Sequence, residues 1–372
     1  MKKHIRHMCV VAGFGLYAVA ASEMMVRVAA PQAFVPREVI AAPYGVRMNQ
    51  PGARYRHVTP ETTADIEINS QGLRAPRDFE IPKPANVTRV AVFGDSYFLG
   101  YEGRYEEIAT TQLERRLKEA GCLAEVLNFS VSGFGAAEML RTFEAKALDF
   151  QPDLVIFQWH HTDPDDDLRA HLYELNDGEL RATGARYTPA TGVKARLNQS
   201  PVYRFLSSHS HLFIALREKT SRTVRRAMAG HVFRRDTASE GEQQEERRAS
   251  KTDLAILAEA ERLAQSIGAP FYVVDVPGVQ NRMRFRTSFR LLPAEMTARP
   301  NYVTPINAFN AAAAYNEKLY WERGHKHLTP KGNAIMAEVI SSSLLADPAA
   351  RKALACPFDA SVIAQADDAP EK

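Results

Sequence analysis

The chain has 372 residues, of which 45% are hydrophobic and 24% charged, so it can bury a large core as one big domain or as one domain with appendages. Its 47 basic and 44 acidic residues give a formal net charge of +3, which offers no support for nucleic-acid binding. The three cysteines, Cys9, Cys122 and Cys356, lack the spacing of a metal site. A disulfide between Cys122 and Cys356 is one alternative, but we expect these thiols to remain unpaired.

The N-terminus is typical of an export signal. Three basic residues among the first seven precede an uncharged, mostly apolar stretch over 8–21, which ends in small residues. The stretch is short for a membrane span, but it can continue past Glu23 as an uncleaved anchor whose basic end stays in the cytoplasm. Residues 1–29 are therefore predicted to be a signal peptide or N-terminal membrane anchor. The rest of the chain is expected to be exported, either periplasmic or held at the inner membrane facing the periplasm.

Residues 30–86 are rich in proline and in residues that favour strands, which indicates extended segments and turns. We interpret this stretch as a lead-in laid over the main domain. Within it, 66–70 alternates like an exposed strand and 71–74 turns out of that strand. Arg74 is expected to be an ordinary surface residue, or else to reach the rim of an active site.

A buried strand that ends in a serine-bearing turn is the first candidate for chemistry. Residues 89–93 are β-branched and aromatic, and Gly94-Asp95-Ser96 follows where that strand must turn. Beyond the turn, the spacing of apolar residues predicts an amphipathic helix over 106–120. This order places Ser96 at the carboxyl end of a strand, near free backbone N–H groups that can hold an anion formed at an attacked carbonyl.

Two further strands are also followed by turns that can line a site. Residues 125–127 form a strand, and in the turn over 128–135 the N–H of Gly133 can approach a ligand oxygen because no side chain stands in the way. Residues 154–157 form another buried strand. Residues 160–163 lie just beyond its carboxyl end, which is where open parallel sheets place their ligands.

The region after the third strand interrupts the alternation of strands and helices. The acidic run 163–167 lacks the ligand pattern of a calcium loop, and we expect it to be a solvated loop. Residues 168–251 are treated as an insertion that forms a cap. Within it, 203–216 is predicted to be helical, and 231–251 is polar enough to be an exposed linker or a disordered loop.

The alternation returns near the C-terminus. The pattern predicts a helix over 254–267, a buried strand over 270–276 and a fifth strand near 302–306. The last candidate segment, 321–333, leads into another helix. In it, His327 lies shortly before the helix, where a loop can direct its imidazole at a serine, and histidine is the usual base for activating a hydroxyl near neutral pH.

Together these four segments resemble the motifs of the SGNH (GDSL-type) hydrolase family. The resemblance rests on Gly-Asp-Ser at 94–96, on 128–133, on Thr162-Asp163, and on His327-Leu328-Thr329 with Gly332, in that order along the chain. It covers about residues 87–345 and leaves 346–372 as a C-terminal tail. Both the resemblance and the alternating elements predict a three-layer α/β/α fold of the flavodoxin-like type, with a mostly parallel sheet of about five strands.

The resemblance implies a role for each matching residue. Ser96 would be the nucleophile and His327 its general base. The N–H groups of Ser96 and Gly133 would form the oxyanion hole together with Thr162, which stands where the family has asparagine. Threonine can donate one hydrogen bond, but from a shorter side chain than asparagine has.

The sequence also departs from the family pattern at the acid that orients the histidine. The family has an aspartate two or three residues before the histidine, and here those places hold His325 and Gly324. Either Glu322 orients His327, or the site works as a Ser–His dyad with a backbone carbonyl as orienter. Further candidates for orienting the base or contacting the substrate are His325, His160, His161 and Asp163.

Three classes of function follow from these patterns. The leading one is an exported serine esterase or O-acyltransferase that acts on ester groups, O-acetyl groups above all, of a cell-envelope or exported polysaccharide. The second is a catalytically weakened relative that binds glycan without turnover. The third is a metal-dependent hydrolase, and its candidate ligands are His160, His161, His325 and His327. We expect no metal and no cofactor, because acyl-transfer chemistry already accounts for His327. The expected partners are an acylated carbohydrate or small ester and, through the N-terminus, the inner membrane.

Overall fold

The computed structural model of the chain describes residues 2–189, 191–232, 249–281, 284–286 and 292–357. The strands are β1 (Val39–Ala41), β2 (Arg47–Asn49), β3 (Arg54–Val58), β4 (Thr63–Glu67), β5 (Thr88–Phe93), β6 (Ala124–Asn128), β7 (Leu154–Trp159), β8 (Tyr173–Asn176), β9 (Glu179–Ala182), β10 (Phe271–Asp275), β11 (Gly278–Asn281), β12 (Arg284–Arg286) and β13 (Tyr302–Val303). The helices are α1 (Lys2–Ala29), α2 (Ser96–Leu99), α3 (Ala109–Glu119), α4 (Ala136–Ala145), α5 (Asp163–Ala170), α6 (Gly192–Gln199), α7 (Pro201–His209), α8 (His211–Val232), α9 (Lys251–Ser266), α10 (Ala294–Thr297), α11 (Ile306–Ala314), α12 (Pro330–Ala346) and α13 (Pro348–Ala353), with 3₁₀ turns at Tyr105–Glu107 and Ala147–Phe150.

Five strands form one parallel sheet in the order β6-β5-β7-β10-β13. This is the flavodoxin-like order, in which the first strand of the sheet lies between the second and the third. β5 and β7 are buried almost throughout, as expected for central parallel strands covered on both faces. The structure confirms the parallel five-stranded sheet that the sequence predicts. The gap between the ends of β5 and β7 is the point at which ligands bind in such sheets.

Helices cover both faces of the sheet and complete the predicted three layers. On one face, α4 and α9 pack over an aromatic cluster that includes Phe93, Phe143 and Phe157. On the other face, α3 and α12 pack together over Leu113 and Ile156. Each large apolar side chain buried in this way contributes about 1.5–3 kcal/mol by leaving water. The two layers therefore fix the carboxyl ends of β5 and β7 relative to each other.

The lead-in segment forms two antiparallel hairpins, β1–β2 and β3–β4. The prediction of an exposed strand over 66–70 is wrong, because the strand is β4 and both Ile66 and Ile68 are buried. These isoleucines pack against Leu99 and Tyr101, which follow Ser96 in the chain. The alternation in this strand thus reflects an apolar face directed at the main domain.

Arg74 is buried, contrary to the expectation of a surface or rim position. Its guanidinium donates hydrogen bonds to the carbonyls of Leu99 (2.5 Å), Gly100 and Gly103 (2.6 Å). Burial lowers the pKa of Arg74 to about 10, which leaves it charged at neutral pH. Arg74 therefore ties the lead-in segment to the turn that comes after Ser96.

The acidic run after β7 is helical, so the prediction of a solvated loop is wrong. It forms the start of α5, and Asp163, Asp166 and Asp167 are buried. Downstream, the hairpin β8–β9 and helices α6 to α8 occupy the predicted insertion. The single helix predicted over 203–216 is divided at Ser210, between α7 and α8. Most of the predicted linker over 231–251 lies outside the described residues.

The expectation of unpaired thiols near the C-terminus is also wrong. Cys122 and Cys356 form a disulfide, which links the residue just after α3 to the residues after α13. Sequence reasoning placed one thiol at a helix end and the other in a tail, and it had no means of bringing them together. Packing of α13 beside α12, which itself packs on α3, brings the two cysteines into contact.

α1 is long and apolar enough, from His4 to Ala29, to cross a membrane by length and composition, and a signal sequence would meet the same test. Its last turns contact α8 of the insertion. There the Glu23 carboxylate accepts hydrogen bonds from the main-chain N–H groups of His211 and Leu212 and from the Ser210 hydroxyl, at 2.7–2.9 Å. The N-terminal helix is thus attached to the insertion by a side chain that caps α8.

Candidate active site

The turn after β5 presents Ser96 as the first residue of the short helix α2. The Asp95 carboxylate caps this helix by accepting from the N–H of Tyr97 (2.8 Å), and the Gln158 side chain donates to the same carboxylate (2.7 Å). Asp95 is buried, and burial raises its pKa against the effect of these two hydrogen bonds. The Asp95 carboxylate therefore shapes the turn that carries the half-buried Ser96.

His327 meets Ser96 directly. Its Nε2 lies 2.8 Å from Ser96 Oγ, although 231 residues separate the two in the sequence. The loop that carries His327 is held on both sides: the carbonyl of His327 accepts from the N–H of Trp321 (2.9 Å), and the Thr329 hydroxyl caps α12 at the N–H of Gly332 (3.2 Å). The structure therefore brings together the two residues that the motifs nominate as nucleophile and base.

The carboxylate that binds the other nitrogen of this histidine is Glu102. Its Oε2 lies 2.8 Å from His327 Nδ1, and the side chain is fully buried. The main-chain N–H of His325 donates to both oxygens of the same carboxylate, at 2.9 and 3.1 Å. A Cβ on Gly324 would overlap Glu102 Oε1, so the glycine makes room for this acid.

Glu102, and not Glu322, is thus the carboxylate on the base. Glu322 is exposed to solvent, and the two ring nitrogens of His327 are bonded to other residues, Nδ1 to Glu102 and Nε2 to Ser96. At the position where the family has its aspartate, this chain has His325, and the main-chain N–H of His325 donates a hydrogen bond to Glu102. The expectation that Glu322 orients His327, or that a backbone carbonyl does so, is replaced by a Ser–His–Glu arrangement.

The charge state of Glu102 follows from its partners. Burial opposes ionisation of the carboxyl, but hydrogen bonds from His327 and from the His325 N–H outweigh it and lower the pKa of Glu102 below its ordinary value. An ionised Glu102 can only accept, so the proton of neutral His327 lies on Nδ1. The lone pair on Nε2 then faces the Ser96 hydroxyl, which is the tautomer that a general base needs.

A second buried histidine supports Glu102 from behind. His57 Nδ1 accepts from the N–H of Glu102 (3.3 Å), and its Nε2 donates to the carbonyl of Pro36 (3.0 Å). Burial lowers the pKa of His57 to about 3, so it remains neutral. This contact holds the backbone of Glu102 in its left-handed conformation, at φ 64°. The lead-in segment therefore takes part in positioning the acid.

Two predicted members of the oxyanion hole have free N–H groups. Within the described part of the chain, neither the N–H of Ser96 nor that of Gly133 has a hydrogen-bond acceptor. Gly133 has φ +80°, a backbone conformation that residues with a side chain rarely adopt. Both groups follow the carboxyl ends of neighbouring strands, β5 and β6. Each of these N–H groups can therefore donate to an oxygen of a ligand.

The third predicted member, Thr162, is hydrogen-bonded to a histidine. Its Oγ1 lies 2.9 Å from His160 Nδ1. His160 is buried, and burial together with the nearby imidazoles of His161 and His327 lowers its pKa well below the ordinary value. Neutral His160 can donate to Thr162 or accept from it. Only the first arrangement leaves the Thr162 proton for an oxyanion.

Two other predicted site residues, His160 and Asp163, make contacts of their own near this centre. The His160 ring packs against Tyr97 (4.6 Å between centroids) and against His161 (4.0 Å). Asp163 is buried and accepts from the main-chain N–H of His160 (2.9 Å), and burial raises its pKa well above the ordinary value. Among the described residues, no three His, Cys, Asp or Glu side chains are grouped so that they could hold a metal ion.

Comparisons with known proteins give only distant likenesses to solved structures. No protein-family model and no curated protein sequence matches the chain. Solved structures that it resembles include a proposed lipolytic protein of the G-D-S-L family from Desulfitobacterium hafniense (16% identity, 69% of this chain and 99% of that one, TM-score 0.36). A second is a member of the lipolytic G-D-S-L family from Veillonella parvula (10% identity, 69% of this chain and 97% of that one, TM-score 0.35). A third is a GDSL-like lipase from Bacteroides thetaiotaomicron (15% identity, 72% of this chain and 89% of that one, TM-score 0.32). Likenesses this weak carry no conclusion about the fold or the activity of this chain.

Sequence reasoning missed two residues that shape the site, Glu102 and His57. The one available signal for Glu102 was the missing aspartate, which implies that a carboxylate must reach His327 from elsewhere in the chain. Nothing in the local sequence marks His57, because it contacts Glu102 across 45 residues of chain.

Proposed function

We propose that the protein is a serine hydrolase or acyltransferase that acts on ester bonds, with Ser96 as nucleophile, His327 as general base and Glu102 as the acid that orients it. The observation that carries the proposal is the continuous chain of short hydrogen bonds, 2.8 Å from Ser96 Oγ to His327 Nε2 and 2.8 Å from His327 Nδ1 to Glu102. A serine hydroxyl alone is a weak nucleophile, and this arrangement is the one that activates it.

The reaction follows from the positions of the three side chains. Ser96 Oγ forms a bond to the ester carbonyl carbon while its proton passes to His327 Nε2. The imidazolium that results is stabilised by the ionised Glu102. His327 then gives the proton to the leaving alcohol oxygen as the carbon–oxygen bond breaks, which leaves an acyl group on Ser96. Water or a sugar hydroxyl, deprotonated by His327, removes that acyl group in a second step of the same kind.

The oxyanion of each tetrahedral intermediate would be held by the N–H groups of Ser96 and Gly133. Fixed donors at the position where charge develops are worth about 3–4 kcal/mol each in comparable sites. Thr162 would add a third donor if His160 donates to its hydroxyl. The free N–H groups support this part of the proposal.

An exported acylated polysaccharide is the substrate that fits the remaining features. The apolar helix α1 is consistent with export or with anchoring at the inner membrane, with the body of the protein in the periplasm. The disulfide supports an oxidising compartment, because such bonds rarely persist in the cytosol. We therefore propose O-acetyl groups on a cell-envelope or exported glycan as the ester, and either water or a sugar hydroxyl as the acceptor.

A fluorophosphonate probe tests the proposal without knowledge of the natural substrate. The full chain in detergent should be labelled at Ser96, and the label should be lost in Ser96→Ala and in His327→Ala. Hydrolysis of p-nitrophenyl acetate should fall to the same residual rate in both variants and in the double variant, because the two residues act as one unit. No labelling of a folded chain would contradict the proposal.

One observation favours a second candidate, a glycan-binding protein with little turnover. Thr162 replaces the asparagine of the family's oxyanion hole and is engaged with His160. A folded chain that binds acetylated glycan but is neither labelled nor active would support this candidate.

A further inference from the structure

Two arginines of the lead-in segment converge on the glycine of the oxyanion hole. A Cβ added to Gly133 would lie 3.1 Å from Arg47 Nη1 and 4.0 Å from Arg37 Nη1. Both guanidinium groups therefore lie against the same point, beside a main-chain N–H that has no acceptor. Two cations held this close repel each other unless neighbouring anions offset their charges.

Arg47 is fixed in place by a buried acid. Its Nε and Nη2 donate to the two oxygens of Glu138, each at 2.9 Å, and Glu138 is almost fully buried. This pair uses one edge of the guanidinium and leaves Nη1 directed at Gly133. The ring of Tyr187, from the insertion, lies 5.8 Å from the guanidinium carbon and forms a wall beside it.

Arg37 has no such acid. Among the described residues, no carboxylate lies within ion-pair distance of its guanidinium, and its polar side-chain contact is a long one from Nε to the Tyr101 hydroxyl, at 3.4 Å. The guanidinium carbon lies 5.8 Å from the centre of the Tyr101 ring. Arg37 is exposed, so both of its terminal nitrogens can reach a ligand.

The position of Arg37 relative to the reacting groups follows from Tyr101. The ring of Tyr101 packs against the ring of His327, with 4.9 Å between their centres. Although His325 reaches solvent, the atoms packed around it lower its pKa, and the positive charge of Arg37 acts in the same direction. Arg37 thus lies between Tyr101, which packs on His327, and Gly133.

We propose that Arg37 and Arg47 form a subsite for a carboxylate on the sugar that bears the ester, so that the substrate is an acidic glycan built from uronic acids. The inference rests on the proposed function and names its substrate class. Arg37 Nη1 and Arg47 Nη1 both lie within 4.0 Å of the position that a Cβ on Gly133 would take. A carboxylate fits between these two nitrogens, with each of its oxygens about 2.8 Å from one of them. Because that point is at Gly133, the carboxylate and the reacting carbonyl must belong to the same sugar or to adjacent ones.

Binding tests the subsite independently of turnover. The Ser96→Ala chain in detergent is titrated by calorimetry with a panel of hexuronate trimers and with the same trimers methyl-esterified at every carboxylate. At least one charged trimer should bind about ten- to hundredfold more tightly than its esterified form, the range expected for losing hydrogen bonds to a charged group. Adding Arg37→Gln should remove that preference, and Arg37→Lys should retain part of it.

The matched control is Arg56→Gln. Arg56 is an exposed arginine of the same lead-in segment, paired with Asp65 on the outer face of a hairpin, and its loss should leave trimer binding unchanged. The proposal is overturned if no charged trimer binds better than its methyl ester, or if Arg37→Gln binds the charged trimer as tightly as its parent does.

Turnover separates this inference from the proposed function. With active protein, the ratio of kcat/KM for acetylated uronate trimers to that for acetylated neutral trimers should fall about tenfold or more in Arg37→Gln. If Ser96 is labelled but both classes of trimer react equally, the subsite is wrong and the hydrolase stands. If Ser96 is never labelled but Arg37-dependent binding is found, the hydrolase is wrong and the subsite stands.

Discussion

Glu102→Gln is the sharpest test of the catalytic arrangement, because it removes a charge and keeps the shape of the side chain. The amide can still fill the space beside Gly324, but it cannot stabilise an imidazolium. Carboxylate and imidazolium charges centred about 4 Å apart interact by about 4 kcal/mol at an effective dielectric of about 20. Loss of that stabilisation corresponds to a fall in kcat of about 10³-fold. A wrong tautomer of His327 in the variant would add to the loss.

The assay follows both hydrolysis and labelling in the full chain. Hydrolysis of p-nitrophenyl acetate gives kcat, and the second-order rate of fluorophosphonate labelling reports the reactivity of Ser96 whatever the natural substrate is. Both should fall together in Glu102→Gln. The matched control is Glu322→Gln, which changes the acid closest to His327 in sequence. It should change either rate by less than about twofold, because that side chain is exposed and His327 Nδ1 is bonded to Glu102 instead.

The reasoning is refuted if folded Glu102→Gln keeps more than about a tenth of the parent rate, or if Glu322→Gln loses as much as Glu102→Gln does. Thermal unfolding of each variant shows whether a lost rate is a folding defect. A second arrangement extends the test: His325→Asp in a Glu102→Ala background restores the acid position of the family, and it should recover part of the rate.

Three further perturbations address the support of this site. Because the pKa of His57 is about 3 in the folded chain, its imidazole binds a proton preferentially in the unfolded chain, and His57 lowers stability by up to about 1.4 kcal/mol per pH unit below about 6.5. Other buried groups such as His160 and Asp163 add slopes of their own, so the measurement is the difference between two chains: between pH 7 and 5 the parent should lose more stability than His57→Gln by this amount. Gly324→Ala should lower kcat at least tenfold in a folded chain, since its Cβ would displace Glu102. Thr162→Asn should raise kcat if the longer amide reaches the oxyanion. For both Gly324→Ala and Thr162→Asn, turnover gives the effect on kcat, and thermal unfolding shows whether the variant is folded.

Each of these has an outcome that contradicts it. The same change of unfolding free energy between pH 7 and 5 in the parent and in His57→Gln would show that His57 is not held neutral in the fold. Full activity in Gly324→Ala would mean that catalysis does not depend on the position of Glu102 beside Gly324. A lower rate in Thr162→Asn, with unchanged stability, would show that residue 162 does not face the oxyanion.

The sheet and the Ser–His pair could be predicted because each is encoded locally. The apolar run before Ser96 and the loop before α12 specify their own conformations, and parallel strands bring their carboxyl ends to one edge whatever lies between them. The acidic run after Thr162 was misjudged for the opposite reason. Charge alone predicts solvent exposure, but the packing of α4 against α5 buries three of those carboxyls.

Glu102 could not be predicted because nothing in its neighbourhood marks it as special. It adopts a left-handed backbone conformation that glutamate rarely takes, and that conformation is held by Arg74 and His57 from the lead-in segment. The same applies to Arg37, whose position depends on a tyrosine 64 residues away. The positions of such residues depend on long-range contacts, which local sequence patterns do not show.

The disulfide has a topological consequence. The Cys122–Cys356 bond, across 234 residues of sequence, makes the segment between the two cysteines a covalent ring. His327 and Gly133 belong to the ring, whereas Ser96 and Glu102 belong to the open arm that precedes it. A single cut anywhere in the ring therefore releases nothing, and both pieces stay on one covalent molecule until a reductant is added. On a denaturing gel, a chain cut once within the ring would therefore migrate as two fragments only under reducing conditions. For any cut before residue 327, one fragment would contain Ser96 and the other His327.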